Sequence, residues 1–276
     1  MKTSKLIVVA ALGTFLYSSA AAWAQDCTPS DKFQTVSPGK LSVAIYEYPP
    51  FTVIGSDGSI AGVDGDIAKA IAKKYCLQIQ AVVVDAAAIV QNVLTKKADI
   101  GTGDWYRTAE RAKVLGLSYP LYIDQMGIYS KTGLKTVKEL EGKKVGSVAG
   151  FLWVDDLQKV LGDDLSLYQN PVAIAQDLQS GRIDAAVDSY GTGVYAQTKG
   201  GYPGIQINVS EPDPRVAASG QPAQSNLLYS KDNTAFGEAL DAAIKEMHEN
   251  GELAKILTDN GLAASGADTG EPRLIQ

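Results

Sequence analysis

The apolar positions of the chain change their spacing in a regular order. Leu41 to Tyr46 alternates as a strand does, and Pro49-Pro50 stops it. From Asp66 the apolar residues Ile67, Ala70, Ile71 and Tyr75 fall at helical spacing, which predicts a helix to about Tyr75. A strand is expected in Leu77 to Val84, a helix in Ala86 to Lys97 and a strand around Ala98 to Gly101. This β-α-β-α-β order belongs to a parallel sheet covered by helices. The pattern then restarts, with strands at Lys143 to Val148, Leu165 to Gln169 and Ile183 to Val187 and a helix at Phe151 to Leu161. Asn170-Pro171 reads as a helix cap followed by proline at the first helical position. Near the end, Leu227 to Ser230 is a strand and Thr234 to Glu249 an amphipathic helix whose Phe236, Leu240, Ile244 and Met247 share a face. Residues 263–276 are small and polar, the composition of a flexible tail. Two α/β units without sequence repetition predict two lobes.

The beginning of the chain is set aside from the fold. Lys2 and Lys5, the apolar run Leu6 to Tyr17 and the small residues ending in Ala22-Trp23-Ala24 read as a signal peptide over residues 1–24. The run is too short to span a membrane, so a periplasmic, soluble product is expected. Lipid anchoring at Cys27 is disfavoured, because Ala24-Gln25-Asp26 lacks the leucine and the small residue that lipidation signals place before their cysteine. An oxidising compartment favours pairing of Cys27 with Cys76; the alternative is two unpaired thiols.

Composition removes several classes of function. With 45% hydrophobic and 20% charged residues over 276, the chain has the balance of an ordinary globular protein. Its formal charge is −6 and no basic stripe interrupts it, so nucleic acid is not expected as a partner. One His and two Cys cannot supply the nitrogen and sulfur ligands of a zinc site or an iron–sulfur cluster, so neither metal nor cofactor is expected. A Ser-His-Asp site would have to use His248, which sits on the final helix beside Glu246 and Glu249. Nucleotide-binding loops of the GxGxxG or GxxxxGK[ST] kind do not occur.

Five segments carry a resemblance: Tyr48-Pro49-Pro50-Phe51, Gly62-Val63-Asp64-Gly65-Asp66-Ile67 with Ala68 to Ala72, Thr108-Ala109-Glu110-Arg111, Leu140-Glu141-Gly142-Lys143-Lys144-Val145-Gly146, and Leu228-Tyr229-Ser230-Lys231-Asp232. In that order they resemble the periplasmic solute-binding proteins for amino acids that serve ABC importers. The resemblance spans residues 40 to 260. It implies an α/β, two-lobe, type II periplasmic binding protein-like fold, with residues 25–122 and 224–262 in lobe 1, residues 123–223 inserted as lobe 2, and crossovers near Tyr122 to Ser130 and Ala217 to Asn226. A small-molecule ligand would lie between the lobes, hinge motion would close them, and the closed monomer would dock on a membrane permease. The expected function is binding, without catalysis.

The same resemblance suggests roles for single residues. Arg111 matches the arginine that grips the ligand's carboxylate, which a planar guanidinium does with two parallel hydrogen bonds; its alternative is a surface ion pair with Glu110. Tyr48 matches an aromatic that stacks on the ligand's side chain, against a strand-end core role. Asp64 and Asp66 stand where side chains cap a helix, and a structural role is expected of them. There are also departures. Relatives carry small or hydroxyl residues before the arginine, whereas this chain has Asp104-Trp105-Tyr106-Arg107; they tend to show Gly-Thr after the first strand of lobe 2, whereas it has Gly150-Phe151-Leu152-Trp153. The acid expected for the ligand's ammonium is represented by Asp188, one place early, and a one-residue shift on a strand turns a side chain to the other face.

The candidate ligand-binding set is therefore Tyr48, Asp104, Trp105, Tyr106, Arg111, Phe151, Trp153 and Asp188. Its rings, with Tyr46 and Tyr190, suit a flat or cationic solute, although several could be core. Asp104 could pair with Arg107 or meet a ligand cation. The main reading is capture of an amino acid or derivative for an ABC transporter. Rivals are a planar aromatic carboxylate such as pyrroloquinoline quinone, using both Arg107 and Arg111; a prephenate or arogenate dehydratase-like enzyme with Glu47 as its acid; and a sensor partner of a membrane receptor.

Overall fold

The computed structural model describes Cys27 and residues 32–276; the expected signal peptide lies outside the described residues. In chain order the elements are β1 (Lys40–Ile45), β2 (Val53–Ile54), β3 (Ile60–Ala61), α1 (Gly62–Lys74), β4 (Gln78–Val83), α2 (Ala86–Leu94), β5 (Ile100–Tyr106), α3 (Ala109–Val114), β6 (Leu115–Leu117), β7 (Ile123–Asp124), β8 (Met126–Ser130) and α4 (Val137–Leu140). There follow β9 (Val145–Val148), α5 (Val154–Leu161), β10 (Leu165–Tyr168), α6 (Pro171–Ser180), β11 (Ala185–Ser189), α7 (Tyr190–Thr198), β12 (Gln206–Val209), β13 (Ala223–Ser230), α8 (Thr234–Glu249) and α9 (Glu252–Asp259).

Two sheets divide these strands. One has the order β4-β1-β5-β13-β6, with β7 also on β13; the other has the order β10-β9-β11-β8-β12. In the first, β1 runs parallel to β4 and β5, and β13 antiparallel to β5, β6 and β7. In the second, β9 is parallel to β10 and β11, while β8 is antiparallel to β11 and β12. The chain leaves the first sheet between β7 and β8 and returns to it at β13, so one pair of adjacent strands carries both passages.

Local chemistry explains the better-defined elements. Phe236, Leu240, Ala243, Ile244 and Met247 form the buried face of α8, where each large side chain contributes about 1.5–3 kcal/mol by leaving water. Asn170 caps α6 by accepting from Ala173 N, with Pro171 at the first helical position, and Thr136 with Glu139 closes a capping box on α4. Cys27 and Cys76 form a disulfide across a separation of 49 residues, which on chain-entropy grounds stabilises by about 4 kcal/mol. His248 is half-buried, its Nε2 at 2.8 Å from the Pro120 carbonyl.

Four expectations need correction. The strand expected near Ala98 to Gly101 runs on to Tyr106 and is buried throughout; a central strand covered on both faces need not alternate. The helix expected from Phe151 begins at Val154, which leaves Phe151, Leu152 and Trp153 in the turn before it. Asp64 caps nothing: α1 starts at Gly62 without a side-chain cap, and Asp64 is wholly buried. Residues 263–276, expected to be a flexible tail, are tied down. Ile275 N donates to Arg107 O and Ala109 N to Ile275 O, and Gln224 Nε2 donates to the carbonyls of Thr269 and Glu271. Arg273 reaches the Pro222 carbonyl. These partners satisfy the tail's backbone in place of water.

Candidate functional site

The carboxyl ends of β1, β5, β9 and β11 converge between the two sheets, where open α/β sheets place ligands. A narrow cavity lies there, lined by Tyr46 and Tyr48 after β1, Gly103 to Tyr106 on β5, Arg111 on α3, and Gly150 to Trp153 after β9. Seven of the eight expected ligand contacts thus line a single cavity. The eighth, Asp188, is not part of the lining; its Oδ1 accepts from the Tyr48 hydroxyl at 2.6 Å.

The β5 segment is built to hold an unusual backbone. Gly103 has φ of 119°, and a Cβ there would come within 2.2 Å of the Tyr46 ring. Asp104 follows with φ of 56°, a left-handed conformation that side chains other than Asn and Asp adopt at a cost. Asp64 fixes both residues: its Oδ2 accepts from Gly103 N at 2.7 Å and Asp104 N at 3.0 Å, and its Oδ1 from the Tyr122 hydroxyl at 2.7 Å. The helix-start aspartate of the Gly-Val-Asp-Gly-Asp motif is therefore the rear support of the site.

Arg111 projects into the cavity from α3. Its guanidinium lies 4.6 Å above the Trp105 ring centre and donates to the Tyr106 carbonyl at 2.6 Å. Among the described residues it has no salt bridge, to Glu110 or to any other acid; Glu110 pairs with Lys113. Burial lowers its pKa to about 10, against the raising fields of Tyr46, Asp104 and Tyr106, so it is positive at neutral pH. Arg107 faces elsewhere, its Nη1 donating to the Ser118 carbonyl. Asp104 is not its partner, and a planar tricarboxylate loses the second cation it needs. Glu47 is exposed and accepts from Ile54 N, outside the cavity lining.

The lobes are closed on one another. Tyr48 meets Phe151 edge-on at 5.3 Å and Tyr106 meets Trp153 at 6.1 Å. Trp105 and Trp153 direct their indole N–H groups inward, to Thr102 O and to Ser147 Oγ. Gly150 sits against α2, where a Cβ would lie 3.3 Å from the Ala87 backbone. Asp124 bridges the passage by accepting from the Tyr106 hydroxyl and from Gly191 N. Asp124 had no distinguishing mark in the sequence, since its partners come from remote segments.

Burial raises the Asp188 carboxyl to about 7, against lowering by the Tyr48 and Ser189 hydrogen bonds. An unfolded chain releases that proton near pH 4, so between these values the folded form holds more protons. Stability should therefore fall as pH rises through this window and level off above it. Urea denaturation at pH 5 and pH 8 should show the loss in the wild-type protein and a smaller one in Asp188→Asn; equal pH slopes for the two proteins would refute it.

Residues 41–261 match the family described as bacterial extracellular solute-binding proteins, family 3. The arginine-binding extracellular protein ArtP of Bacillus subtilis is 29% identical over 269 residues, covering 93% of this chain and 96% of that protein. The L-cystine-binding protein TcyJ of Escherichia coli is 27% identical over 215 residues, covering 75% and 76%. Among solved structures, an ancestral arginine-binding protein bound to arginine superposes with a TM-score of 0.70 at 28% identity, covering 81% of this chain and 98% of that one.

Proposed function

Because the chain belongs to family 3 of the bacterial extracellular solute-binding proteins, we propose that its cleft takes an amino acid or close derivative whose carboxylate lies on Arg111. The protein captures a small polar solute and delivers it to an ABC transporter. The rings of Tyr48, Trp105, Phe151 and Trp153 form the walls against which the rest of the ligand packs, and closing over it removes the ligand from water. Export through residues 1–24 places the mature monomer in the periplasm, a location in which the Cys27–Cys76 disulfide persists.

One observation carries this reading: a half-buried arginine lines the cavity with no acid in salt-bridge contact among the described residues, so its charge is available to an incoming carboxylate. The test is mass spectrometry of solute released by denaturing the purified protein, followed by calorimetric titration of the refolded protein with that solute. An α-amino carboxylate that rebinds supports the reading. A released solute without a carboxylate, or one that fails to rebind to refolded protein, overturns it.

A further inference from the structure

The closed cleft is short of positive charge and of hydrogen-bond donors. Asp104 and Asp188 each lie in the field of Asp124, while among the described residues Arg111 is the one cationic side chain of the cavity lining. Asp64 accepts from three donors, Asp124 from Tyr106 and Gly191, and Asp188 Oδ1 from Tyr48 and Ser189. Among the described residues two buried carboxylate oxygens are left without a partner, Oδ1 of Asp104 and Oδ2 of Asp188. Of these two residues only Asp104 lines the cavity, and it is 8% exposed. The Asp104 carboxyl meets Asp124 and Ser225, but a buried oxygen left without a partner is costly, and here the fold also holds its backbone in a left-handed conformation.

We propose that Asp104 is the anchor for the ligand's ammonium group, so that lobe 1 alone holds both ends of an amino-acid head group, the ammonium on Asp104 and the carboxylate on Arg111. This rests on the amino-acid reading above. The two side chains come from one continuous segment, the end of β5 and the helix after it, and Arg111 already feels the field of Asp104. Asp188, on lobe 2, is withdrawn behind the Tyr48 ring with Oδ1 already satisfied twice. Burial and the charges of Asp124 and Asp64 hold the Asp104 carboxyl well above the carboxylate range; an arriving ammonium supplies the charge that lets it ionise. Capture on lobe 1 then precedes closure, and lobe 2 contributes walls.

The test is calorimetry of the wild-type protein and Asp104→Asn with the twenty common L-amino acids, and, for the tightest binder, with its deamino acid. Asparagine suits the left-handed backbone, and a melting curve shows that the variant is folded. Asp104→Ser is a second variant should Asn perturb the loop. The wild-type protein should bind the amino acid at least 100-fold tighter than the deamino acid, and either variant should bring that ratio close to one. If the two compounds bind equally to the wild-type protein, or the variants keep the ratio, the anchor is refuted while the amino-acid reading stands. If no amino acid binds, the amino-acid reading falls and the anchor with it.

Discussion

Arg111→Ala should weaken solute binding by about 2 to 5 kcal/mol, much of it the penalty of burying a carboxylate without its partner. The reason lies in the charge pattern of the cleft. Among the described residues Arg111 is the one cation of the lining, with Asp104 the acid whose field it feels, so removing it leaves a cavity with no positive charge to meet a carboxylate. Its other contacts are the Trp105 face and the Tyr106 carbonyl, and losing them should cost the fold about 1 kcal/mol. Arg111→Lys keeps the charge but not the planar fork, and should fall between the two. Calorimetry reads the affinity and urea denaturation the stability. Near-native affinity in Arg111→Ala would remove the residue from the site.

Asp64→Ala should cost at least about 3 kcal/mol of stability and abolish binding as well. Three buried donors, the amides of Gly103 and Asp104 and the Tyr122 hydroxyl, lose their acceptor together, and each unmet buried group costs about 1 to 3 kcal/mol. Without it, nothing fixes the left-handed turn that aims Asp104. Asp64→Asn, which keeps one carbonyl oxygen, should be milder. Denaturant titration and ligand calorimetry on the same preparations decide the matter: a loss under about 1 kcal/mol with intact binding would mean that the loop holds itself.

Much of the fold could be read from local spacing, and the failures share a cause. Helix α8 and the Asn170-Pro171 cap are local objects, set by side-chain period and by a side chain reaching three residues on. The β5 strand runs past its expected end at Gly101: Gly103 and Asp104 do not alternate as a half-exposed strand does, yet β5 is buried throughout. Asp64 looked like a cap because an aspartate at a helix start commonly is one. Its partners stand 39, 40 and 58 positions away and leave no local signature. The tail misled for the same reason, since Gln224 and the backbone of Arg107 and Ala109 satisfy it from distant places. The site was more legible: the ring-rich departures at Trp105-Tyr106 and Phe151-Leu152-Trp153 fall at the two strand ends that face each other. The offset of Asp188 placed it behind Tyr48 and out of the lining.

The anchored tail also bears on how fast the cleft can let go. Ile275 is hydrogen-bonded to Arg107 and Ala109, the residues just before the Arg111 turn, and it belongs to the same apolar cluster as Trp153, Val154, Val216 and Ala218 of the other lobe. Parting the lobes should strain this seam from both sides, with the tail as a latch whose peeling is expected to add to the barrier for solute release. The amides of Ala109 and Ile275 therefore form a natural clock: their rate of deuterium exchange counts how often the latch lifts, and a saturating solute should slow both together.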